Sequence, residues 1–309
     1  MAGLGWDAQI MPVKVLDSQG AGNVLTVAEG IIWAVDRGAR VVNVSLGGES
    51  YSETVRSATD YAYSRGVLVV AAAGNCGDPI SYSQGGCSTH NPTIYPAANP
   101  NVLAVAATDM YNAHASFSSY GYYVDVAAPG DFILSTYWAG GSDYTFLSGT
   151  SMASPLVAGL ASLVWGRDPG LSSAQVASLI VGTAIDLGAP GRDDYFGSGL
   201  VDASLAVRIA AVAQSTAPAE SQSAFAPSSA SANAPVRPGA VLVKFKAGTT
   251  EASRQASLKA LGAAAARELP SLGVLELRVP AGKEREVAGQ LANNPAVEFA
   301  EPNYLVRAY

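Results

Sequence analysis

Histidine is nearly missing from this chain: its 309 residues include two, His90 and His114. That scarcity leaves few candidates for an imidazole base or ligand. Cysteine is equally sparse, with Cys76 and Cys87 flanking a Gly/Ser-rich loop. A disulfide-dense scaffold is thereby excluded. One disulfide closing the loop, in an oxidising compartment, is the most economical reading; two free thiols are the alternative. With only His90 nearby, no metal ligand set is assigned. Charged residues make up 14% and the net charge is −7, so no basic surface suggests nucleic acid or an anionic membrane as partner. No apolar run approaches the roughly 18 residues of a transmembrane helix. The opening MAGLGWDAQIMPVKV has no basic region followed by an apolar one, so no signal peptide is read there.

What is present is a hydrophobic content of 49%, ample for a large core in one or two domains. Short apolar runs at Ile10–Leu16, Arg40–Leu46, Val67–Ala73, Val102–Thr108 and Val124–Ala128 read as strands. Helical spacing occupies Leu25–Arg37, Tyr51–Arg65, the segment after Ser151, Ser172–Gly182 and Asp202 to about Val212. Continuous apolar strands alternating with helices predict an α/β fold: a parallel sheet covered on both faces. Ligands of such sheets bind beyond the carboxyl ends of the strands. Ser45–Gly48, Gly74-Asn75 and the Gly149-Thr150-Ser151 turn all fall at such ends. From about Ala211 to Ala234 the chain is small, polar and Pro-containing, which predicts a flexible linker. Beyond it, Ala240–Phe245, a weak strand near Arg267–Leu269, Val274–Val279 and a short Val297–Ala300 alternate with helices at Thr250–Gly262 and Gly282–Leu291. The order β-α-β-β-α-β is a ferredoxin-like pattern.

The stretch Leu147–Leu160, LSGTSMASPLVAGL, carries the chemistry. Ser151 would stand in the first helical turn, where unpaired N–H groups and the macrodipole favour developing negative charge. A bare Gly-Thr-Ser is more often just a helix cap. The whole string, however, resembles the nucleophile signature of the subtilisin-like serine proteases, the subtilases. So, in order, do PVKVLDSQGAG, GIIWAVDRGARVVNVSLGG, VVAAAGN, YPAANPNVLAVAATD, ASFSSYG and VDVAAPG. The resemblance implies a three-layer subtilisin-like domain over residues 1–210, with Ser151 as nucleophile. It also implies Asn75 as side-chain oxyanion donor beside the backbone N–H of Ser151; otherwise Gly74-Asn75 is an ordinary turn. Ser45, Leu46, Gly47 and Gly48 would wall a cleft where a peptide or protein substrate pairs as an added strand. No cofactor is implied; the family often carries structural calcium, which no run of carboxylates here allows to be assigned to residues.

The resemblance covers only the middle and end of that domain. A subtilase uses an Asp and a His from motifs that precede the segment resembling this chain's opening, so the domain is expected to be incomplete, with apolar sheet edges left for a partner. His90 and His114 read as surface loop residues, and Asp109, Asp125 and Asp131 as loop or strand-end carboxylates. Without a base Ser151 is a poor nucleophile, and the chain alone is expected to be nearly inactive unless a complementary Asp/His-bearing segment joins it. Residues 236–309, after a linker at 211–235, resemble the inhibitory propeptide of the same family through AVLVKFKAG, SLGVLELRVPAG and NNPAVEFAEPNY. In the family this unit precedes the catalytic domain, so the order here reads as permuted. It implies an intramolecular inhibitor whose tail, LVRAY, lies in the cleft with Tyr309 in the specificity pocket. Alternatives are a tethered solubilising domain, an inhibitor or folding helper of a complete subtilase, and a peptide-binding pseudoenzyme. Secretion is implied by the family and by the disulfide, against the missing signal.

Overall fold

A computed structural model describes residues 4–80, 87–137, 143–211 and 234–308. The first unit is built on a parallel sheet ordered β2 (Val41–Val44), β4 (Leu68–Ala72), β5 (Val102–Thr108), β6 (Val126–Pro129). Side chains alternate across it, as the pleat requires. Val69, Ala71, Ala104 and Ala106 join the core beneath helices α1 (Val24–Asp36) and α2 (Glu53–Ser64). Leu68, Val70, Leu103, Val105 and Val126 face α3 (Thr150–Arg167), α4 (Ser173–Gly182) and α5 (Ala203–Ala210). The largest side chains in this second layer, Leu103, Leu160 and Ile180, are fully buried, each worth about 1.5–3 kcal/mol relative to exposure. Caps set the helix starts: Asn23 and Thr26 form a reciprocal box on α1, and Ser52 accepts from Val55 N on α2.

The terminal unit runs β9 (Val236–Phe245), α6 (Glu251–Ala260), β10 (Ala264–Leu269), β11 (Val274–Arg278), α7 (Glu284–Ala292), β12 (Val297–Ala308). Its strands are antiparallel, in the order β12-β9-β11-β10. Val241, Val243, Leu277, Val287 and Leu291 form a core beneath its two helices. The sheet does not stop at this unit: β12 also pairs with β1 (Ala21–Asn23) and β3 (Leu46–Gly47) of the first unit, both antiparallel.

Two expectations are corrected. Ile10–Leu16 forms no strand. An extended apolar run becomes a strand only beside a ladder partner, and Val13 and Val15 instead pack against Gly30 of α1, while Ile10 is 86% exposed. The last strand is not the short Val297–Ala300 but runs on to Ala308, because the first unit supplies partners that no local pattern announces. A hairpin of β7 (Ile133–Tyr137) and β8 (Asp143–Leu147), which no local pattern announces, displays Phe132, Tyr144 and Phe146 to solvent. Most of the expected linker, 212–233, and Tyr309 lie outside the described residues.

Candidate active site

Three chain segments meet at the carboxyl ends of β2 and β4. Gly74 turns the chain after β4 with φ +111°, and a Cβ there would stand 2.6 Å from the Ile94 side chain, so glycine is required. Asn75 follows, half-buried. Its Oδ1 accepts from both the N–H and the Oγ1 of Thr150 at 2.9 Å, and Thr150 Oγ1 accepts in turn from Gly74 N at 3.1 Å. These bonds fix which end of the amide is oxygen and leave its NH2 as the end that can meet an acceptor.

Ser151 is the second residue of α3 and 8% exposed. Gly149 provides no side-chain cap; the Thr150 N–H is met by Asn75 and the Met152 N–H by Gly149 O, on either side of the serine. Pro155 is the sixth residue of α3, past the orphan donors of the first turn, so the Ser151 carbonyl receives no intrahelical bond from it and accepts from a side chain instead. Ser151 Oγ donates to Ser45 O at 3.1 Å, and Ser45 Oγ donates to Ser151 O at 3.1 Å. Ser45 accepts a further bond from Asn43 Nδ2, and Asn43 Oδ1 accepts from Ser154 Oγ at 2.6 Å. The chain can therefore present a serine hydroxyl, a helix N-terminus and an oriented amide at one point.

β12 runs toward that point between β3 and β1. Arg307 pairs with Gly47 and Ala308 with Leu46 on one side, while Leu305, Val306 and Arg307 pair with Asn23, Gly22 and Ala21 on the other. Ala308 N donates to Gly20 O at 3.1 Å. Val306 is buried between Gly22 and Gly48. Upstream, the Glu301 carboxylate accepts from Ser52 Oγ (2.8 Å), Glu53 N (2.9 Å) and Thr54 N (3.1 Å), occupying the N-terminus of α2. Burial nonetheless pushes this carboxyl above its usual range, against the pull of those bonds. Asn303 Oδ1 accepts from Leu25 N of α1 at 3.4 Å, and its Nδ2 donates to Glu276, which also receives Arg237. Arg267 pairs with Glu29 of α1.

Cys76 and Cys87 form a disulfide directly after Asn75. Ser88 donates its N–H and hydroxyl to Glu49, the residue after Gly48. His90 is exposed, with Nε2 at 2.8 Å from Gly77 O. His114 is no surface loop residue: it is half-buried among Tyr120, Tyr195 and Phe196, and burial lowers its pKa to about 4. An aromatic ring packs well in such a nest even though its own loop is polar. Asp125 is half-buried, accepts from Ala104 N at 2.8 Å, and is raised to about 6 by desolvation. Among the described residues, no group of three or more His, Cys, Asp or Glu stands close enough to hold a metal ion. Asn43, Thr150, Ser154, Glu301 and Asn303 were not singled out by the sequence; a lone polar residue inside the apolar run VVNVSL was the available signal for Asn43.

Comparison with known proteins covers both units. A family profile described as "Subtilase family" matches residues 1–199, and one described as "Fervidolysin N-terminal prodomain" matches residues 223–303. Over 206 residues the chain is 45% identical to M-protease of Shouchella clausii (strain KSM-K16), covering 67% of this chain and 50% of that protein. It is 45% identical to Subtilisin Savinase of Lederbergia lenta, covering 67% and 70%. Thermitase of Thermoactinomyces vulgaris is 42% identical over 208 residues, covering 67% and 68%. The chain thus spans about half the length of some curated relatives and about 70% of others. Among solved structures, a protease of Pseudoalteromonas arctica superposes with a TM-score of 0.58 at 33% identity, covering 67% of this chain and 65% of the other. A lanthipeptide protease superposes with a TM-score of 0.58 at 28% identity, covering 66% and 71%.

Proposed function

This chain belongs to the subtilase family, and on that premise we propose that it is a component of a serine endopeptidase held in a self-inhibited state. Ser151 Oγ is the nucleophile that attacks a peptide carbonyl. Asn75 Nδ2 and the backbone N–H of Ser151 receive the oxyanion, and the amine leaves from an acyl-enzyme. The substrate pairs as a strand against Ser45-Leu46-Gly47-Gly48. The base that takes the Ser151 proton is a histidine oriented by an aspartate, both supplied by a complementary segment. What supports this is that Ser151 Oγ is bonded to the Ser45 carbonyl, while His90 meets Gly77 and His114 sits in an aromatic nest. Residues 1–210 form the incomplete catalytic unit, 211–235 the linker, and 236–309 a ferredoxin-like propeptide placed after it, acting as intramolecular inhibitor. Secretion fits the disulfide.

The single observation that carries the reading is the course of β12, which pairs with both cleft walls and reaches Leu46, one residue from Ser45. Reaction with a fluorophosphonate probe tests it. The chain alone is expected to react slowly, and labelling of Ser151 is expected to accelerate on adding an Asp/His-bearing subtilase segment. Fast labelling of the chain alone would overturn the claim that its base comes from elsewhere. A second reading, in which residues 236–309 inhibit or assist the folding of a complete subtilase, is favoured by the Glu301 carboxylate seated on the α2 N-terminus. Titrating the chain against an active subtilase checks that reading; undiminished activity at micromolar chain removes it.

A further inference from the structure

Asn43 lies on β2, where Val42 and Val44 pack toward α1 and the intervening side chain points to the first turn of α3. Ser154 Oγ, fully buried, donates to Asn43 Oδ1 at 2.6 Å. This sets the amide: with its oxygen on Ser154, its NH2 is turned to Ser45 Oγ at 3.0 Å. Having accepted there, Ser45 Oγ sends its own proton to the Ser151 carbonyl at 3.1 Å. Ser151 Oγ closes the circuit on Ser45 O. The donors run one way, from α3 through β2 and the cleft wall back to residue 151. On the other side, Thr150 is held by Asn75. Asn75 thus holds Thr150 directly, while Asn43 reaches Ser151 through Ser45.

We propose that Asn43 is a positioning residue for Ser151, fixing through Ser45 the spacing between the wall on which a peptide pairs and the turn that carries the hydroxyl. The proposal rests on Ser151 being the nucleophile. Spacing matters because the register of β12 sets Ala308 opposite Leu46. The next residue of a bound strand comes level with Ser45, and its carbonyl must meet Ser151 Oγ. A misplacement of about 1 Å between reacting atoms costs on the order of 10²-fold in rate. Asn43 is itself exposed, so replacing it opens no cavity.

The test uses the full chain, diisopropyl fluorophosphate as probe and imidazole as external base. Ser151 Oγ bonds to phosphorus, the P–F bond breaks with fluoride leaving, and imidazole takes the hydroxyl proton. Intact mass and peptide mapping follow the imidazole-dependent rate. Asn43→Ala and Ser45→Ala are each expected to slow labelling about tenfold. The double variant should be no slower than either single, since all three break one chain of bonds. Hydrogen exchange of the Ala308 amide should stay at the parent rate in Asn43→Ala. Parent-like labelling of Asn43→Ala, losses that multiply, or a rate loss matched by faster Ala308 exchange would each overturn the positioning role. A parent chain that never labels at Ser151 sinks the nucleophile reading and this one with it; a labelled parent with an unaffected Asn43→Ala sinks this one alone.

Discussion

At the scale of single residues, two half-buried titratable groups oppose each other. Asp125 is raised by burial to about 6 in the folded chain. Its contribution to stability is fully present below the ordinary carboxyl value and is lost as pH rises through about 6. His114 is lowered by burial to about 4. Its contribution is present above the ordinary imidazole value and is lost as pH falls through about 4. The two slopes run against each other over the same window, so the parent should show a nearly flat stability profile there. Asp125→Asn should remove one slope and leave stability falling on acidification; His114→Phe, which keeps an aromatic ring in the nest, should leave it falling as pH rises. Each slope amounts to about 3 kcal/mol at most. Urea unfolding at several pH values from 4 to 7 checks this, and parallel profiles for both variants would contradict it. At this scale the site was legible in part. Ser151 and Asn75 stand in local strings with their own signatures. Asn43, Thr150 and Glu301 acquire meaning only from partners 111, 75 and 249 residues away, or at similar distances, which no local pattern encodes.

At the scale of elements, β4 and β5 of the parallel sheet were legible because each is a continuous buried apolar run bounded by glycine or a turn, and β2 because its valines flank a single polar residue. The two strands that differ from expectation share one cause. A strand is defined by its ladder as much as by its composition. Ile10–Leu16 has the composition and no strand forms; Glu301–Ala308, with its proline and polar residues, has the ladder. The tail of β12 should thus depend on backbone donors. Ala308→Pro deletes the N–H that reaches Gly20 O. It is expected to loosen the tail without unfolding either unit. The measurable consequence is faster hydrogen exchange in Ala21–Asn23 and Leu46–Gly47, with β9 and β11 unchanged. Unchanged exchange along both walls would mean that side chains alone hold the tail.

At the scale of the whole molecule, the two units share a sheet and share helix caps. Each helix of the outer layer begins at a surface met by the terminal unit: Asn303 meets Leu25 N on α1, and Glu301 meets Glu53 N and Thr54 N on α2. Helix starts carry unpaired donors, and burying them without an acceptor is costly. Covering α1 and α2 with the terminal sheet is therefore compatible with stability only because these two side chains travel with it. Docking and the ordering of the outer layer become one event. Glu301→Ala should lower the stability of the chain by about 1–3 kcal/mol, the cost of leaving buried donors unmet. Replacing Arg267, whose ion pair with Glu29 is half-exposed, should cost under about 1 kcal/mol. Urea unfolding followed by far-UV circular dichroism separates the two. If Glu301→Ala shifted the midpoint no more than Arg267→Ala does, the caps would not couple the units, and the interface would be held by apolar burial and strand pairing alone.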